Sequence, residues 1–247
     1  MNLLAQLSVA KSTETRKSGL HDMPIIGPNA LKRSVLSLSK RGIWRSVRLI
    51  LFEIIYERRF GVNTTVHIPS EKLDFSTEAR SHAPNHFPAR YLYLYEALTT
   101  GPVDCHDGVF VDYGSGTGRA LLFASTLPFK KLIGVELSPL LCNAAVDNLK
   151  RYYAERRKSI PTWEVINIDA RAYDIPNDAN IFFFCNPFDE VVLEPVIDRI
   201  LTSLSKAPRR SWIVYLNPQH KQAFLKKGFI EHTPQALDYS ILSPNRI

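Results

Sequence analysis

Acidic and amide side chains follow successive predicted strands of this chain, in an arrangement that could bind a polar ligand. They are Asp112, Glu136, Asp169, Asn186 and Asn217, and each comes at the end of a short apolar segment. In an open parallel sheet, ligands bind beyond the carboxyl ends of the strands. Any one of these side chains could belong to an ordinary turn, but together they indicate one binding edge.

A glycine-rich loop follows the first of these strands, in the segment VFVDYGSGTGRA. Its glycines, Gly114, Gly116 and Gly118, allow a tight turn and a close approach of a ligand to the backbone. The helix predicted to begin near Gly118 would direct free N–H groups toward that ligand. The dinucleotide fingerprint G-x-G-x-x-G has its third glycine where this chain has Arg119, and no Gly-Lys-Ser/Thr follows as in a Walker loop.

The acidic side chains limit the kind of ligand that this edge can bind. Glu136 can accept hydrogen bonds from both ribose hydroxyls, in a nicotinamide or in another adenosine ligand. Asp112, just before the glycines, would repel phosphate and would suit an ammonium group. Asp169 could accept a hydrogen bond from the exocyclic amine of adenine. An ammonium, a ribose and an adenine occur together, without phosphate, in S-adenosylmethionine.

Four segments, VFVDYGSGTGRA, GVELSP, INIDA and FFFCNPF, resemble the ordered motifs of class I S-adenosylmethionine-dependent methyltransferases, over about residues 85–235. More narrowly, YERRFGVNT followed by this core is similar to a group of bacterial methyltransferases, with a fainter likeness to lysine methyltransferases of the telomeric-silencing-disruptor type. The resemblance implies S-adenosylmethionine as the cofactor. The cofactor-binding residues that it implies are Asp112, Gly114, Ser115, Gly116 and Gly118 for the methionine part, Glu136 for the ribose, and Asp169 with the adjoining Ala170 for the adenine.

The turn Asn186-Pro187-Phe188 is the candidate catalytic segment. In methyltransferases that act on exocyclic or side-chain amines, Asn or Asp followed by Pro-Pro and an aromatic residue closes the fourth strand; this chain lacks one of the two prolines. The resemblance implies that Asn186 accepts a hydrogen bond from an acceptor amine and that Pro187 stiffens the turn. Phe188 would pack over the acceptor or offer its ring face to the sulfonium. A purely structural turn beneath the cofactor is the alternative.

Apolar strands alternate with helices along the core, which predicts an α/β fold. We expect a Rossmann-like, seven-stranded, mostly parallel sheet with helices on both faces and an N-terminal helical extension. The predicted strands are Val109–Tyr113, Leu132–Glu136, Trp163–Ile168, Ile181–Cys185, Trp212–Leu216, Phe229–His232 and Leu237–Leu242. The predicted core helices are Arg119–Ser125, Pro139–Arg157, Glu190–Leu204 and Gln219–Lys227, after a short helix over Tyr91–Thr100.

The positive charge of the chain is concentrated at its N-terminal end. Residues 1–60 contain 11 Lys/Arg and 4 Asp/Glu, whereas residues 61–247 contain 20 of each. We predict a basic disordered arm over residues 1–40, a helical extension and cofactor-covering segment over 41–100, and a methyltransferase core over 101–247. The arm either attracts an anionic partner, such as nucleic acid or a lipid surface, or is a solvated tail.

An amphipathic helix is predicted between Arg41 and Phe60. Its apolar side chains fall at helical spacing, with Arg41, Arg45 and Arg48 on the other side; they are Ile43, Val47, Ile50, Leu51, Ile54 and Ile55. Such a helix can lie on a membrane surface or dock on its own domain. The prediction is that it docks on its own domain through this apolar face.

Metal binding and membrane insertion are not predicted. No apolar window reaches the length of about 18 residues that a membrane span needs. The three cysteines are far apart and odd in number, which indicates neither a disulfide framework nor a metal site. His67, His82 and His86 lack a second ligand cluster, and His86 is interpreted as a polar contact in the cofactor-covering segment. A reducing, cytoplasmic location is the default expectation.

The predicted reaction is methyl transfer from S-adenosylmethionine, without a metal, to a nitrogen of a protein side chain or another amine. A nucleic-acid base is the alternative acceptor, and the basic arm favours an anionic macromolecule as the partner. Two functions of another class stay open: an NAD-dependent oxidoreductase and a non-catalytic cofactor-binding protein.

Overall fold

The computed structural model describes residues 43–62, 64, 82, 88–154, 161–233 and 237–245. The predicted arm over residues 1–40 lies outside these ranges, and so do His67 and His86. The described residues from Val47 onward form one compact unit. Among the helices in the described ranges, none is long and apolar enough to cross a membrane.

Seven strands form the central sheet. They are β1 (Val109–Tyr113), β2 (Lys131–Glu136), β3 (Thr162–Asn167), β4 (Ala179–Phe184), β5 (Trp212–Leu216), β6 (Phe229–Glu231) and β7 (Tyr239–Pro244). Their order in the sheet is β3-β2-β1-β4-β5-β7-β6. Strands β1 to β5 are parallel, and β7 is antiparallel to both β5 and β6. The predicted Rossmann-like, mostly parallel sheet is therefore confirmed.

Helices precede the sheet and connect its strands. Those in the described residues are α1 (Ile43–Phe60), α2 (Tyr91–Thr99), α3 (Arg119–Ala124), α4 (Pro139–Ala154), α5 (Glu190–Lys206) and α6 (Lys221–Lys226). A short 3-10 helix covers Ala170–Ala172. The predicted end of α4 at Arg157 falls in residues 155–160, outside the described residues.

The central strands are buried on both faces of the sheet. Successive side chains of a strand point to opposite faces. In β4, Ile181 and Phe183 therefore belong to one apolar cluster, and Phe182 and Phe184 belong to the other. This two-sided burial explains why the segment IFFF is continuously apolar rather than alternating.

Helix α1 docks on the core, as predicted, but it does so through a different face. The buried stripe consists of Leu49, Phe52, Tyr56 and Phe60, each no more than 7% exposed. All six aliphatic side chains of the predicted docking face are exposed, from Ile55 at 38% to Ile43 at 65%. The prediction of the face was therefore wrong.

Aromatic packing explains why the other stripe of α1 is buried. The Tyr56 ring stacks on Tyr91 of α2 at 5.1 Å between centroids and also lies 5.1 Å from Phe123 of α3. Phe60 packs edge-on to Tyr152 of α4 at 5.2 Å. Aromatic rings bury more area than aliphatic side chains, and such ring pairs add about 0.5–1.5 kcal/mol beyond their area.

Arg119 joins α1 to the beginning of α3. Its side chain is buried, and its Nη1 donates to Glu57 at 2.6 Å and to the Thr64 hydroxyl at 2.8 Å. Its remaining donors bind the Glu53 carboxylate and the Ala89 carbonyl oxygen. Arg119 therefore stands where the dinucleotide fingerprint would have its third glycine, and it anchors the N-terminal helix α1 to the core.

Replacing Arg119 by alanine should lower the free energy of unfolding by about 3 kcal/mol, because it leaves partly buried carboxylates without their partner. Lys130→Ala is the matched control, since the Lys130–Asp178 pair, at 3.3 Å, is exposed on both sides. That exposed pair should contribute less than about 1 kcal/mol. Urea unfolding measures both losses, and equal losses would contradict the anchoring role of Arg119.

Candidate functional site

The carboxyl ends of the parallel strands meet at one edge of the sheet, as the sequence predicts. In register, Tyr113 of β1 lies beside Val135 of β2 and Phe184 of β4, and Phe184 lies beside Tyr215 of β5. The chain after each of these strands therefore emerges at the same edge.

Two carboxylates, those of Asp112 and Glu136, are buried at this edge. Asp112 is 2% exposed and Glu136 is 5% exposed. Glu136 accepts hydrogen bonds from the backbone N–H groups of Gly116 at 2.8 Å and Ser138 at 2.9 Å. Glu136 therefore ties the glycine loop to the segment that leads into α4.

Burial shifts the pKa values of both acids upward. For Asp112, burial and then the neighbouring Glu136 carboxylate raise the pKa well above its ordinary value of 3.8. For Glu136, burial raises the pKa above 4.5, although N–H donors from Ser138, Gly116 and Leu137 oppose this rise. A cation beside these acids would favour their ionised forms, so the pair is suited to a positively charged ligand group.

The glycine loop has the backbone form that a close-fitting ligand site needs. Gly114, Gly116 and Gly118 all have positive φ, at 73°, 54° and 82°. Ser115, between the first two, has a buried Oγ without a hydrogen-bond partner in the part of the chain that the structure describes. The Ser115 side chain lies against Gly134 of β2, where an added Cβ would come 2.8 Å from its Oγ, and its contact with the methionine part of a cofactor stays a prediction.

Gly114 brings the glycine loop into contact with the turn after β4. A Cβ placed on Gly114 would lie 2.4 Å from the Cβ of Pro187. No side chain fits at this position, because real Cβ contacts do not come so close. The predicted cofactor loop and the predicted catalytic turn are thus direct neighbours.

Asn186 has an unusual backbone conformation at the end of β4. Its φ is +47°, although it precedes Pro187 and residues before proline favour extended conformations. Asn217, which precedes Pro218 after the adjacent strand β5, has φ +50°. Strained residues of this kind cluster at functional sites, and two of them lie here on neighbouring strands.

Tyr215 orients the Asn186 amide from within the sheet. The Tyr215 hydroxyl donates to Asn186 Oδ1 at 3.2 Å, and the Tyr215 side chain is fully buried. An amide oxygen can accept two hydrogen bonds, so one remains for a ligand. This contact could not be predicted from the sequence, which indicates only that Tyr215 lies on a neighbouring strand.

Phe188 packs into the core under the turn. It is 8% exposed and lies edge-on to Phe184 at 6.2 Å between ring centroids. This packing anchors the Asn186-Pro187 turn to the sheet. The contact of Phe188 with an acceptor or a sulfonium stays a prediction.

Asp169 and Ala170 lie beyond the carboxyl end of β3. The Asp169 carboxylate caps the 3-10 helix by accepting from the Arg171 N–H at 2.8 Å. It also accepts from the Arg171 guanidinium, with the shortest distance at 2.7 Å, and this side-chain bond lowers the pKa of Asp169. Asp169 is therefore ionised and held in place, and its contact with adenine stays a prediction.

His82 and Asp189 form a pair next to the Asn186 turn that the sequence did not predict. His82 Nδ1 lies 2.8 Å from Asp189 Oδ2, and the Asp189 N–H donates to the His82 carbonyl oxygen at 3.1 Å. Asp189 also caps α5 by accepting from Val191 and Val192. Burial opposes ionisation, but these hydrogen bonds outweigh it, and the pKa of Asp189 is lowered. The only indication of this pair in the sequence is that Asp189 directly precedes the predicted helix over Glu190–Leu204, where it can act as the N-cap.

In the described structure the candidate site is not a metal centre, and a separate surface depression lies away from it. Within the described ranges, no group of three or more His, Cys, Asp or Glu side chains could hold a metal ion. A surface depression lined by Arg209, Trp212 and His232, among others, lies at the beginning of β5, at the opposite end of the strands.

Several solved structures that are similar to this chain are methyltransferases. A precorrin-6y C5,15-methyltransferase from Geobacter metallireducens is 15% identical, with a TM-score of 0.48, and the match covers 72% of this chain and 97% of that one. The human methyltransferase 10 domain containing protein is 14% identical, with a TM-score of 0.48 and coverages of 79% and 94%.

A ribosomal protein L11 methylase from Lactobacillus delbrueckii subsp. bulgaricus is 15% identical, with a TM-score of 0.42 and coverages of 61% and 75%. No family model and no curated protein matches the chain. The function of this chain therefore has to be inferred from its own residues.

Gly114→Ala should destabilise the protein and abolish ligand binding at this edge, because the added methyl group would collide with Pro187. Gly228→Ala is the matched control, since Gly228 also has positive φ, at 86°, but has open space around its Cβ position. The free energy of unfolding of the control should fall by only about 1–2 kcal/mol, which is the cost of placing alanine at a positive φ. Urea unfolding compares the two, and an equal loss in both variants would show that the loop and the turn are not in contact.

Asp112→Asn should stabilise the ligand-free protein near neutral pH, because it removes a buried acid that lies beside another. The pKa of Asp112 is higher in the folded protein than the ordinary value of 3.8 that applies to the unfolded chain. The folded state is therefore most favoured below pH 3.8, and it loses stability as the pH rises from there through the raised pKa. The advantage of the variant should therefore grow with pH. Thermal unfolding measures it, as a Tm increase of about 2–4 °C for each kcal/mol gained. A variant that is less stable than the wild type at every pH would contradict the assignment.

Proposed function

We propose that this chain is an S-adenosylmethionine-dependent methyltransferase that transfers the methyl group to a nitrogen of a protein side chain or another amine. The observation that carries the proposal is the meeting of three features at one edge of the sheet. They are the buried acids Asp112 and Glu136, the glycine loop, and the Asn186-Pro187 turn, which contacts that loop at Gly114.

The residues present fit S-adenosylmethionine. Asp112 and Glu136 form a buried acidic pair that a cation would stabilise. We assign Asp112 to the ammonium of the methionine part and Glu136 to the ribose hydroxyls. Asp169 and Ala170 are assigned to the adenine.

The same features oppose a dinucleotide ligand. A diphosphate on the glycine loop would lie close to the buried acid Asp112, and like charges repel strongly away from water. The third fingerprint glycine is replaced by Arg119, whose guanidinium is already bound to Glu53 and Glu57. These contacts favour a methyltransferase over an NAD-dependent oxidoreductase.

The Asn186 turn would position the acceptor. When bound, S-adenosylmethionine supplies an electrophilic methyl group on a sulfonium. The free lone pair of Asn186 Oδ1 accepts an N–H from the acceptor amine, which aims the nitrogen lone pair at that methyl group. Tyr215 fixes the amide, and Pro187 and Phe188 fix the turn. The acceptor nitrogen has to be a neutral amine to attack, and the proton carried by its methylated product leaves to water. Positioning of this kind would account for a large part of the catalysis.

Binding is tested first by titration calorimetry of the full chain with S-adenosylmethionine and, separately, with NAD. The acceptor class is then found by incorporation of a tritiated methyl group into the protein, RNA and metabolite fractions of a lysate. Binding of S-adenosylmethionine with labelled protein or amine is the expected result. Labelled RNA would show that the acceptor is a nucleic-acid base and not a protein amine. Binding of NAD without binding of S-adenosylmethionine would overturn the proposal.

Tyr215→Phe should lower the methylation rate about fivefold, because the loss of one hydrogen bond of about 1 kcal/mol frees the Asn186 amide. It should leave the Kd for S-adenosylmethionine unchanged. Tyr173→Phe is the matched control, because the Tyr173 hydroxyl is buried but has no partner in the described residues. Equal rates for both variants would show that Tyr215 does not position Asn186.

A further inference from the structure

Helix α1 has two apolar faces, and only one of them is covered by the core. The covered face carries Leu49, Phe52, Tyr56 and Phe60. The outer face carries Val47, Ile50, Leu51, Ile54 and Ile55, which are between 38% and 55% exposed. Their spacing of i, i+3, i+4, i+7 and i+8 is the pattern of a helix face that is normally buried. We call these five side chains the outer ridge.

The exposed charged side chains of α1 are all arginines. Both acids of α1, Glu53 and Glu57, point toward the core and bind Arg119. Three arginines, Arg48, Arg58 and Arg59, are exposed on the same helix.

These arginines are exposed, and the described structure gives partners for two of them. Arg48 lies 3.7 Å from Glu96 of α2, and its side chain is still 53% exposed. Arg59 lies over the Tyr56 ring at 5.9 Å, and Arg58 lies in the last turn of the helix. The outward side of α1 therefore combines aliphatic side chains with guanidinium groups.

This combination favours an anionic lipid surface as the partner. Nucleic-acid interfaces are more polar than protein interfaces and would leave five aliphatic side chains without a suitable contact. A second copy of the chain would place arginines next to arginines, in either direction of helix pairing. An interfacial helix has this composition, with aliphatic side chains in the acyl boundary and basic side chains at the headgroups.

We propose that α1 docks the protein on an anionic membrane surface through the outer ridge. Because the opposite stripe of the helix stays packed on the core, the helix lies in the plane of the interface with one side in the lipid. Arg48, Arg58 and Arg59 contact lipid phosphates. The docking surface does not depend on the proposed methyl transfer.

The test is co-sedimentation of the full chain with vesicles of phosphatidylcholine alone and of phosphatidylcholine mixed with phosphatidylserine. We expect binding to the mixed vesicles that weakens with added salt. Leu51→Gln/Ile54→Gln should reduce the partition coefficient about tenfold or more, because two aliphatic side chains leave the acyl boundary. Arg48→Gln/Arg58→Gln should reduce it about fivefold for each charge removed.

The matched control is Val191→Gln/Ile230→Gln, which replaces two aliphatic side chains that are exposed at 59% and 44% but lie outside α1. This control should bind vesicles like the wild type. Circular dichroism and thermal unfolding establish that each variant is folded, since the substituted side chains are all exposed.

Three results would overturn the inference. The first is equal vesicle binding by the wild type and the outer-ridge variant. The second is that the wild type does not bind vesicles and forms a dimer without lipid, as seen by analytical ultracentrifugation, whereas the outer-ridge variant is a monomer. The third is binding to a single-stranded RNA oligonucleotide that falls in the outer-ridge variant, with no binding to vesicles.

Discussion

Two buried acids at the carboxyl edge of one sheet constrain the whole candidate site. Burying a carboxylate is costly unless it is paired or hydrogen-bonded. Glu136 receives two backbone N–H groups, and these bonds fix the glycine loop. Among the described residues, none donates a hydrogen bond to the Asp112 side chain, whose pKa burial and Glu136 raise. We therefore propose that the site binds a ligand that brings positive charge and has no phosphate.

The N-terminal helix supports this edge from outside the sheet. Arg119, at the first position of α3, lies directly after the glycine loop and is bound by Glu53 and Glu57 of α1. The Thr64 hydroxyl also accepts a hydrogen bond from Arg119. The Thr117 hydroxyl of the glycine loop donates to the Thr64 carbonyl oxygen at 3.4 Å. Substitutions in α1 can therefore change the loop without touching a ligand. The segment YERRFGVNT contains both Glu57 and Thr64, which gives this motif a physical role.

The sequence predicts the sheet and its polar edge well, because both depend on local patterns. Apolar runs in the sequence predict where the strands end, and thus that Asp112 and Glu136 lie at strand ends. Ligands bind beyond the carboxyl ends of parallel strands, which predicts that these two acids lie at the same edge. It does not predict contacts between distant residues, such as the Tyr215 hydroxyl on Asn186 or His82 on Asp189. It also selects the wrong face of α1, because the aliphatic spacing of Ile50 and Ile54 is regular, whereas the buried stripe is determined by aromatic partners on α2, α3 and α4.

Proton release on ligand binding tests the central claim most directly. Calorimetric titration with S-adenosylmethionine in buffers of different ionisation enthalpy measures it over a pH series below about 7, where an α-amino group is already protonated. We expect the wild type to release protons within this pH series, because the bound cation lowers the pKa of Asp112, and we expect the release to be lost in Asp112→Asn. Proton uptake, or an equal release from both proteins, would contradict it.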